Sequence, residues 1–310
     1  MRIVFFGTSS FGVPSLEGLV SSGHEICRCV TQPDRPQGRG LIPRPSPIKS
    51  AAARLRLQVD EPERLGEYLP ELQRLRPDLG VVVSYGKLVP GSLLRLPRLG
   101  MVGIHPSLLP SYRGANPIAR AILNGETATG VSIFLLGEAL DAGEIVVQNR
   151  VAIGPEETAE ELTTRLAALS TDALLEAGRA LESGTARPAP QDERAATYAQ
   201  KFSKQDGRID WRQSAAAIHR LIRATCPWPG AFTEWRGHTL KICAAIADER
   251  PNDREPGTVI AASSSEGLIV GTGQGRLLIR ELQPAGKRRM SAAEFLAGYK
   301  IQVGERLANA

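Results

Sequence analysis

The feature that most constrains the fold is an alternation, in the first two thirds of the chain, of short apolar runs with helical patterns. The runs that predict strands are Arg2–Phe6, Glu25–Thr31, Leu79–Ser84, Met101–Ile104, Val131–Leu136 and Ile145–Val151. Helices are predicted between them, at Val13–Ser22, from Ser46-Pro47, from Asn116-Pro117 to Leu123, and from the capping box of Thr158 and Glu161 to about Leu181. This alternation predicts a doubly wound, Rossmann-like α/β domain with a mainly parallel sheet. Ligands of such sheets bind at the carboxyl ends of the strands.

The pattern changes after a stretch rich in Pro and Gly, Ser183–Pro190. One helix, Ser214–Arg223, is followed by five short predicted strands and a closing helix at Ser291–Leu296. The strands are Ala231–Arg236, Thr239–Ala247, Gly257–Ala262, Gly267–Gly271 and Arg276–Leu282. Short strands of this kind predict a small antiparallel, OB-like β-barrel. We therefore expect an α/β catalytic domain at residues 1–190, a linker at 191–204 and a C-terminal domain at 205–310, since 310 residues suit two domains.

Composition excludes several classes of protein. No run of 18 apolar residues occurs, so the sequence predicts no transmembrane helix. The apolar run at the start is interpreted as a buried strand and not as a signal peptide, which indicates a cytoplasmic protein. The four cysteines, Cys27, Cys29, Cys226 and Cys243, form no CxxC pair and have no zinc-ligand spacing. They are expected to be reduced core residues, and no metal is expected.

Charge is unevenly distributed along the chain. Residues 201–310 contain 17 Lys and Arg against 11 Asp and Glu, a balance of +6, whereas residues 1–200 have a balance of −1. A basic C-terminal part suits a polyanionic partner such as nucleic acid. An ordinary solvated surface explains the same balance, so charge alone leaves both interpretations open.

A long loop, Gln32–Pro45, follows the second predicted strand, and we call it the arginine loop. It contains several Pro and Gly residues and carries Arg35, Arg39 and Arg44 with the single acid Asp34. Long ordered loops at strand ends are often functional, and arginines there suit phosphate contacts. A solvated surface loop is the alternative.

A histidine and an aspartate are the candidate catalytic residues. His105 directly follows a predicted strand, and Asp141 lies in a glycine-containing turn before another. Together they form a general-base pair, in which the carboxylate orients the imidazole and stabilises its charged form. Taken singly, His105 suits a hydrogen-bonded structural role and Asp141 suits a turn.

The first-strand segment and eight further motifs, in order, resemble the methionyl-tRNA formyltransferase family over nearly the whole chain. The eight motifs are Thr31–Gly40, Pro45–Lys49, Val83–Gly86, His105–Pro110, Tyr112–Gly114, Leu140–Gly143, Arg208–Trp211 and Pro227–Gly230. HPSLLP with LDxG is specific to the folate-dependent formyltransferase superfamily. The arginine loop and the two C-terminal motifs resemble its tRNA-directed branch.

The resemblance implies transfer of a formyl group from 10-formyltetrahydrofolate to the α-amine of methionyl initiator tRNA in translation initiation, with no metal. It implies that His105 assists the oxyanion and moves protons, and that Asp141 sets the charge and orientation of His105. The residues implied at the folate pocket are Tyr85, Gly86, Ser107, Leu108, Leu109 and Pro110. Arg35, Arg39 and Arg44 would meet the acceptor stem, and the basic C-terminal domain would follow the tRNA backbone. None of these sequence features requires a second copy of the chain, so a monomer is expected.

One departure from the family pattern concerns catalysis. The family has Asn two residues before the histidine, where this chain has Gly103. Loss of one oxyanion donor typically lowers a rate by about 10²–10³. The sequence leaves three explanations open: a slower enzyme, or one with another donor such as Asn116; a 10-formyltetrahydrofolate hydrolase or a catalytically silent relative; or an engineered inactivating change.

A second departure lies in the arginine loop. Many relatives have two lysines after Gly40, where this chain has Leu41 and Ile42. Arg44 keeps one positive charge nearby. The substitution is expected to change the affinity of the loop for tRNA and not its general role.

Overall fold

The computed structural model describes residues 1–37, 42–263 and 265–308, without the side chains of residues 35–37, 42 and 43. Up to residue 199 the strands are β1 (Arg2–Gly7), β2 (Glu25–Val30), β3 (Arg35–Gln37), β4 (Ile42–Arg44), β5 (Val59–Asp60), β6 (Leu79–Val83), β7 (Met101–His105), β8 (Arg113–Gly114), β9 (Ala128–Leu135), β10 (Ile145–Ala152) and β11 (Tyr198–Ala199). The helices there are α1 (Val13–Ser21), α2 (Pro47–Arg54), α3 (Leu69–Leu75), α4 (Gly91–Leu94), α5 (Pro117–Leu123) and α6 (Ala159–Glu182). Beyond it lie α7 (Ala215–Ala224), β12 (Ala231–Trp235), β13 (His238–Asp248), β14 (Val259–Ser263), β15 (Gly267–Gly271), β16 (Arg276–Pro284), β17 (Met290–Ser291) and α8 (Ala292–Gly298).

Seven strands form the central sheet, in the order β10-β9-β7-β6-β1-β2-β5. The five strands from β7 to β5 are parallel, and β9 and β10 are antiparallel additions at one edge. The predicted mainly parallel α/β sheet is therefore confirmed. The chain runs from β1 outward to β2 and β5, then returns to β6 on the other side of β1. This reversal places a crevice at the carboxyl ends of β1 and β6, where open α/β sheets bind ligands.

Local signals explain where the two best-predicted helices begin. The Ser46 hydroxyl accepts a hydrogen bond from the Lys49 backbone nitrogen at 3.0 Å, and Pro47 occupies the first turn of α2. Ahead of α6, Thr158 and Glu161 form the reciprocal hydrogen bonds of a capping box. Both helix starts agree with the sequence prediction because the caps depend only on residues within one turn.

The C-terminal sheet is antiparallel, in the order β12-β13-β16-β15-β14, with β17 paired to β16. Its two outer strands are linked by the end of the chain: Glu234 of β12 forms a bridge with Ala308, and Thr258, just before β14, forms one with Arg306. Trp211, Phe295 and the inward-facing residues of the strands form its core. The architecture is consistent with the predicted OB-like domain.

Two compact units divide the chain by packing. The first comprises residues 1–117, 128–152 and 163–199, and the second comprises 118–127, 153–162 and 200–310. The sequence analysis placed 118–127 and 153–162 with the N-terminal domain, and the packing assigns them to the other unit. The predicted functional limits of 1–190, 191–204 and 205–310 stay a prediction.

Sequence analysis did not anticipate several short elements. The arginine loop contains a hairpin of β3 and β4, and β8 pairs in parallel with β11. Strands of two or three residues are too short to show a periodic pattern. Within the described part of the chain, no helix combines the length and apolar character that crossing a membrane requires.

Candidate active site

His105 lies at the carboxyl end of β7, a strand whose five residues are all buried. The Nε2 atom of its imidazole is 2.8 Å from the backbone oxygen of Tyr112. A carbonyl oxygen only accepts hydrogen bonds, so Nε2 is the protonated nitrogen of the neutral ring. The other nitrogen, Nδ1, is 3.6 Å from Oδ2 of Asp141. Burial lowers the pKa of His105 below the ordinary histidine value, and the Asp141 carboxylate partly opposes this effect. The neutral ring therefore offers Nδ1 as a proton acceptor.

Asp141 adopts a left-handed backbone conformation, with φ of 51°. Its Oδ2 atom accepts a hydrogen bond of 2.8 Å from the backbone nitrogen of Gly114. The same oxygen is the one that faces Nδ1 of His105. The carboxylate is thus oriented by the main chain and not by a flexible side chain.

A hydrogen-bonded network of side chains supports the backbone of the Asp141 turn. Gln191 Nε2 donates to the backbone oxygens of Asp141 at 2.8 Å and of Gly143 at 2.7 Å. Gln191 Oε1 in turn accepts from Arg113, which is buried and also forms an ion pair with Glu193 at 2.7 Å. The Arg113 hydrogen bond lowers the pKa of the Glu193 carboxyl. Sequence reasoning assigned no role to these three residues: Arg113 was visible in the Tyr112–Gly114 motif, whereas Gln191 had no local signal.

A cavity of about 710 Å³ lies beside His105 and Asp141. Gly103, Tyr85 and Gly86 also line it, so the structure brings together five of the residues that the sequence nominated. The rest of the wall is largely apolar and includes Val82, Leu94, Phe134 and Leu136. A largely apolar cavity with few polar groups is typical of a site for a small organic ligand.

The turn after His105 carries the other four residues that the sequence nominated for the folate pocket. Ser107, Leu108, Leu109 and Pro110 are not among the described residues that line this cavity. Ser107 is fully buried and its hydroxyl donates to the Ser111 backbone oxygen at 2.6 Å, while the Leu109 nitrogen donates to Ser132 Oγ. These bonds anchor the turn that carries His105. Their folate contacts stay a prediction.

Asn116, the alternative oxyanion donor, immediately precedes α5 and is half-buried. Its neighbours Ala115 and Pro117 line the cavity, but Asn116 does not. The geometry therefore gives this alternative no support.

A second cleft, of about 440 Å³, lies at the carboxyl ends of β1, β2 and β6. Most of the residues that line it are polar, and we call it the polar cleft. Thr8 Oγ1 and Gln32 Nε2 both donate to the Tyr85 backbone oxygen at 3.1 Å. Ser9 Oγ and Gln32 Oε1 are buried without a hydrogen-bond partner among the described residues. Tyr85 and Gly86 line both this cleft and the larger cavity, so the two spaces adjoin.

The arginine loop is described only in part. Arg44 is exposed and lines the polar cleft. Arg35 lies in β3, and its side chain is not described; Arg39 lies outside the described residues. Of the three predicted tRNA contacts, Arg44 is the one that the structure places at a candidate site.

Among the residues that the structure describes, no group of three His, Cys, Asp or Glu side chains is arranged to hold a metal ion. The four cysteines are free thiols, of which Cys29 is buried.

Two family models cover most of the chain. The model described as formyl transferase matches residues 1–177, and the model described as formyl transferase, C-terminal domain, matches residues 201–300. The His105–Asp141 pair beside a cavity of a mainly parallel sheet, together with these matches, defines the class as formyl transferases.

Individual proteins narrow this class. Methionyl-tRNA formyltransferase of Roseiflexus castenholzii is 47% identical over 99% of this chain and 99% of its own length. The chain therefore belongs to the methionyl-tRNA formyltransferase family. Its fold is similar to an N-formyltransferase from Helicobacter canadensis in complex with folinic acid and dTDP-3-aminofucose, with a TM-score of 0.68, 16% identity and coverage of 92% of this chain and 99% of the other. It is also similar to HypX from Aquifex aeolicus in complex with tetrahydrofolic acid, with a TM-score of 0.67 and 20% identity, over 98% of this chain and 48% of that one.

Proposed function

We propose that this protein transfers the formyl group of 10-formyltetrahydrofolate to the α-amine of methionyl initiator tRNA. The observation that carries the proposal is the buried His105, whose Nδ1 faces the Asp141 carboxylate at 3.6 Å beside the large cavity. Membership of the family and relatives of this name at full length support the choice of substrates. In this function the protein acts in the cytoplasm, and we expect it to act as a monomer.

The His105–Asp141 pair can perform the proton transfers of this reaction. When the unprotonated amine attacks the formyl carbon, a C–N bond forms and the carbonyl oxygen becomes an oxyanion. Nδ1 of His105 takes a proton from the attacking amine, and the Asp141 carboxylate stabilises the resulting imidazolium. This charge also stabilises the oxyanion. His105 then returns the proton to N10 of the folate as the bond between N10 and the formyl carbon breaks.

The two adjoining spaces suit the two substrates. The larger, mostly apolar cavity suits the flat ring system of the folate, with Tyr85 and Gly86 in its wall. The polar cleft, with the exposed Arg44 in its wall, suits the ribose and phosphate groups at the 3′ end of the tRNA. Because Tyr85 and Gly86 line both spaces, an amine bound in the polar cleft would lie close to a formyl group bound in the larger cavity.

The C-terminal segment 201–310 supports a nucleic-acid partner through its charge. This segment carries a balance of +6, and neutralising tRNA phosphates releases counterions. We therefore propose that the segment 201–310 binds the tRNA backbone.

A product assay tests the proposal directly. Purified protein is mixed with 10-formyltetrahydrofolate and methionyl initiator tRNA, and formyl-methionyl-tRNA and free formate are measured together. We expect formyl-methionyl-tRNA as the main product. Uncharged tRNA is the control, because it lacks the accepting amine. Gly103 motivates the rival functions: formate without formylated tRNA would identify a hydrolase, and folate binding without either product would identify a silent relative.

The arginine loop provides a second prediction. Arg39→Ala and Arg44→Ala should each raise the KM for tRNA, leave folate binding unchanged and reduce the slope of log affinity against log salt by about one. Arg54→Ala is the matched control, since Arg54 is an exposed arginine at the far end of α2 that pairs with Glu17. Titrations of tRNA at several salt concentrations measure the effect. Unchanged tRNA parameters in both variants would show that the loop does not contact the tRNA.

A further inference from the structure

Gly103 and Phe134 face each other across the antiparallel pair of β7 and β9. His105 lies two residues beyond Gly103 on β7, so the two residues point to the same face of the sheet. Directly opposed residues of an antiparallel pair also share a face. Gly103, Phe134 and His105 accordingly all line the large cavity.

The ring of Phe134 takes the space that a side chain at position 103 would need. A Cβ atom built on Gly103 would lie 2.5 Å from Cε1 and 2.6 Å from Cζ of Phe134, and 3.3 Å from a methyl carbon of Leu136. Real Cβ atoms essentially never approach within 3.0 Å of another heavy atom. Any side chain at position 103, asparagine included, therefore requires the ring to move.

The surroundings of the ring restrict where it can go. Phe134 is only 2% exposed. Its Cδ2 atom would lie 3.5 Å from a Cβ atom built on Gly143, so a second glycine borders the same ring. The ring also lines the large cavity, so a displaced ring can enter the space proposed for the folate and its formyl group.

We propose that Phe134 is a positioning residue for formyl transfer and that Gly103 and Phe134 form a matched pair. An aromatic side chain packed over a cross-strand glycine compensates for the missing side chain. The Phe134 ring fills the cavity wall beside His105, in the space that a side chain at position 103 would occupy. In this arrangement His105 stabilises the oxyanion without help from an amide at position 103. The proposal rests on the proposed function for the reaction that it serves, but the packing of the pair is a separate property.

Three variants test the pair. Phe134→Leu removes Cε1 and Cζ, the two atoms that block position 103, and keeps a branched apolar side chain. Gly103→Ala alone should lower kcat/KM about 10- to 100-fold, mainly through a higher KM for 10-formyltetrahydrofolate, and should lower the thermal midpoint by about 3–10 °C. Phe134→Leu alone should lower kcat/KM less than about tenfold. The double variant Gly103→Ala/Phe134→Leu should regain at least about tenfold over Gly103→Ala.

Two variants with asparagine at position 103 test whether an amide there raises kcat. If Gly103→Asn/Phe134→Leu places an amide within reach of the oxyanion, its kcat should exceed that of Gly103→Ala/Phe134→Leu by about 10²–10³. Gly103→Asn alone should lose activity as Gly103→Ala does, because the ring blocks both side chains. Gly66→Ala is the matched control, since Gly66 is exposed and a Cβ atom there would meet nothing within 4 Å.

The outcomes separate this proposal from the proposed function. A wild-type protein that does not formylate the tRNA would refute the function, while thermal midpoints and tetrahydrofolate binding of the same variants would still report the packing. Wild-type midpoint and activity in Gly103→Ala would overturn the matched pair. So would a loss in Gly103→Ala that Phe134→Leu does not relieve.

Discussion

Replacing His105 by alanine should lower kcat/KM for formylation of methionyl-tRNA by about 10²–10⁴. The variant loses the Nδ1 atom that accepts the amine proton and the imidazolium that stabilises the oxyanion. Single-turnover formylation at saturating folate measures the effect on the chemical step, and circular dichroism verifies the fold.

His219→Ala is the matched control for this variant. His219 is also buried, and its Nε2 lies 3.0 Å from Oε2 of Glu156 in the second compact unit. The control removes a buried histidine with a carboxylate partner, but neither residue lines the two spaces proposed for the substrates. Its kcat/KM should stay near the wild-type value. A His105→Ala variant as active as this control would mean that another group carries the proton.

Asp141→Asn should lower the same rate by about 10²-fold and change its dependence on pH. The asparagine oxygen can still accept the hydrogen bond from Gly114, so the turn is retained, but the charge that stabilises the His105 imidazolium is lost. The wild-type rate should be constant at high pH, where the ring is neutral, and fall as the pH drops through the pKa of His105. Burial places this pKa below 6.5, and Asp141 partly offsets the shift.

Removal of the carboxylate should therefore move the acidic limb of the pH profile to still lower pH. Asp192→Asn is the control, since Asp192 is exposed in a neighbouring turn and caps the Arg194 nitrogen. Profiles of kcat at saturating tRNA and folate measure both changes. An acidic limb that moves to higher pH, or a rate equal to that of the control, would contradict the assigned role of Asp141.

The lowered pKa of His105 also affects stability. The unfolded chain binds a proton at this histidine near pH 6.5, whereas the folded protein resists it, so protonation favours the unfolded state. The His105 contribution to the free energy of unfolding should consequently decline as the pH falls below about 6.5. Removal of Asp141 would extend this decline, because it lowers the folded-state pKa further.

Much of the architecture could be predicted from local patterns. The apolar run Leu79–Ser84 predicted the buried strand Leu79–Val83, and Ser46 with Pro47 and Thr158 with Glu161 predicted helix starts. These signals depend on contacts within one turn or on burial of one strand, which residue spacing records directly. His105 was nominated because it follows a predicted strand, and ligands of such sheets bind at the carboxyl ends of the strands. Asp141 was nominated from its glycine-containing turn before another predicted strand.

The sequence by itself determined the fold class, the helix caps and the segments that carry His105 and Asp141, because each is encoded by neighbours along the chain. Only the tertiary structure decided which groups support them. Gln191 reaches the Asp141 turn from a distant segment, and Arg113 anchors Gln191 there. Strand register likewise placed the Phe134 ring over Gly103. These contacts depend on the pairing of distant strands and loops, which short-range spacing does not encode.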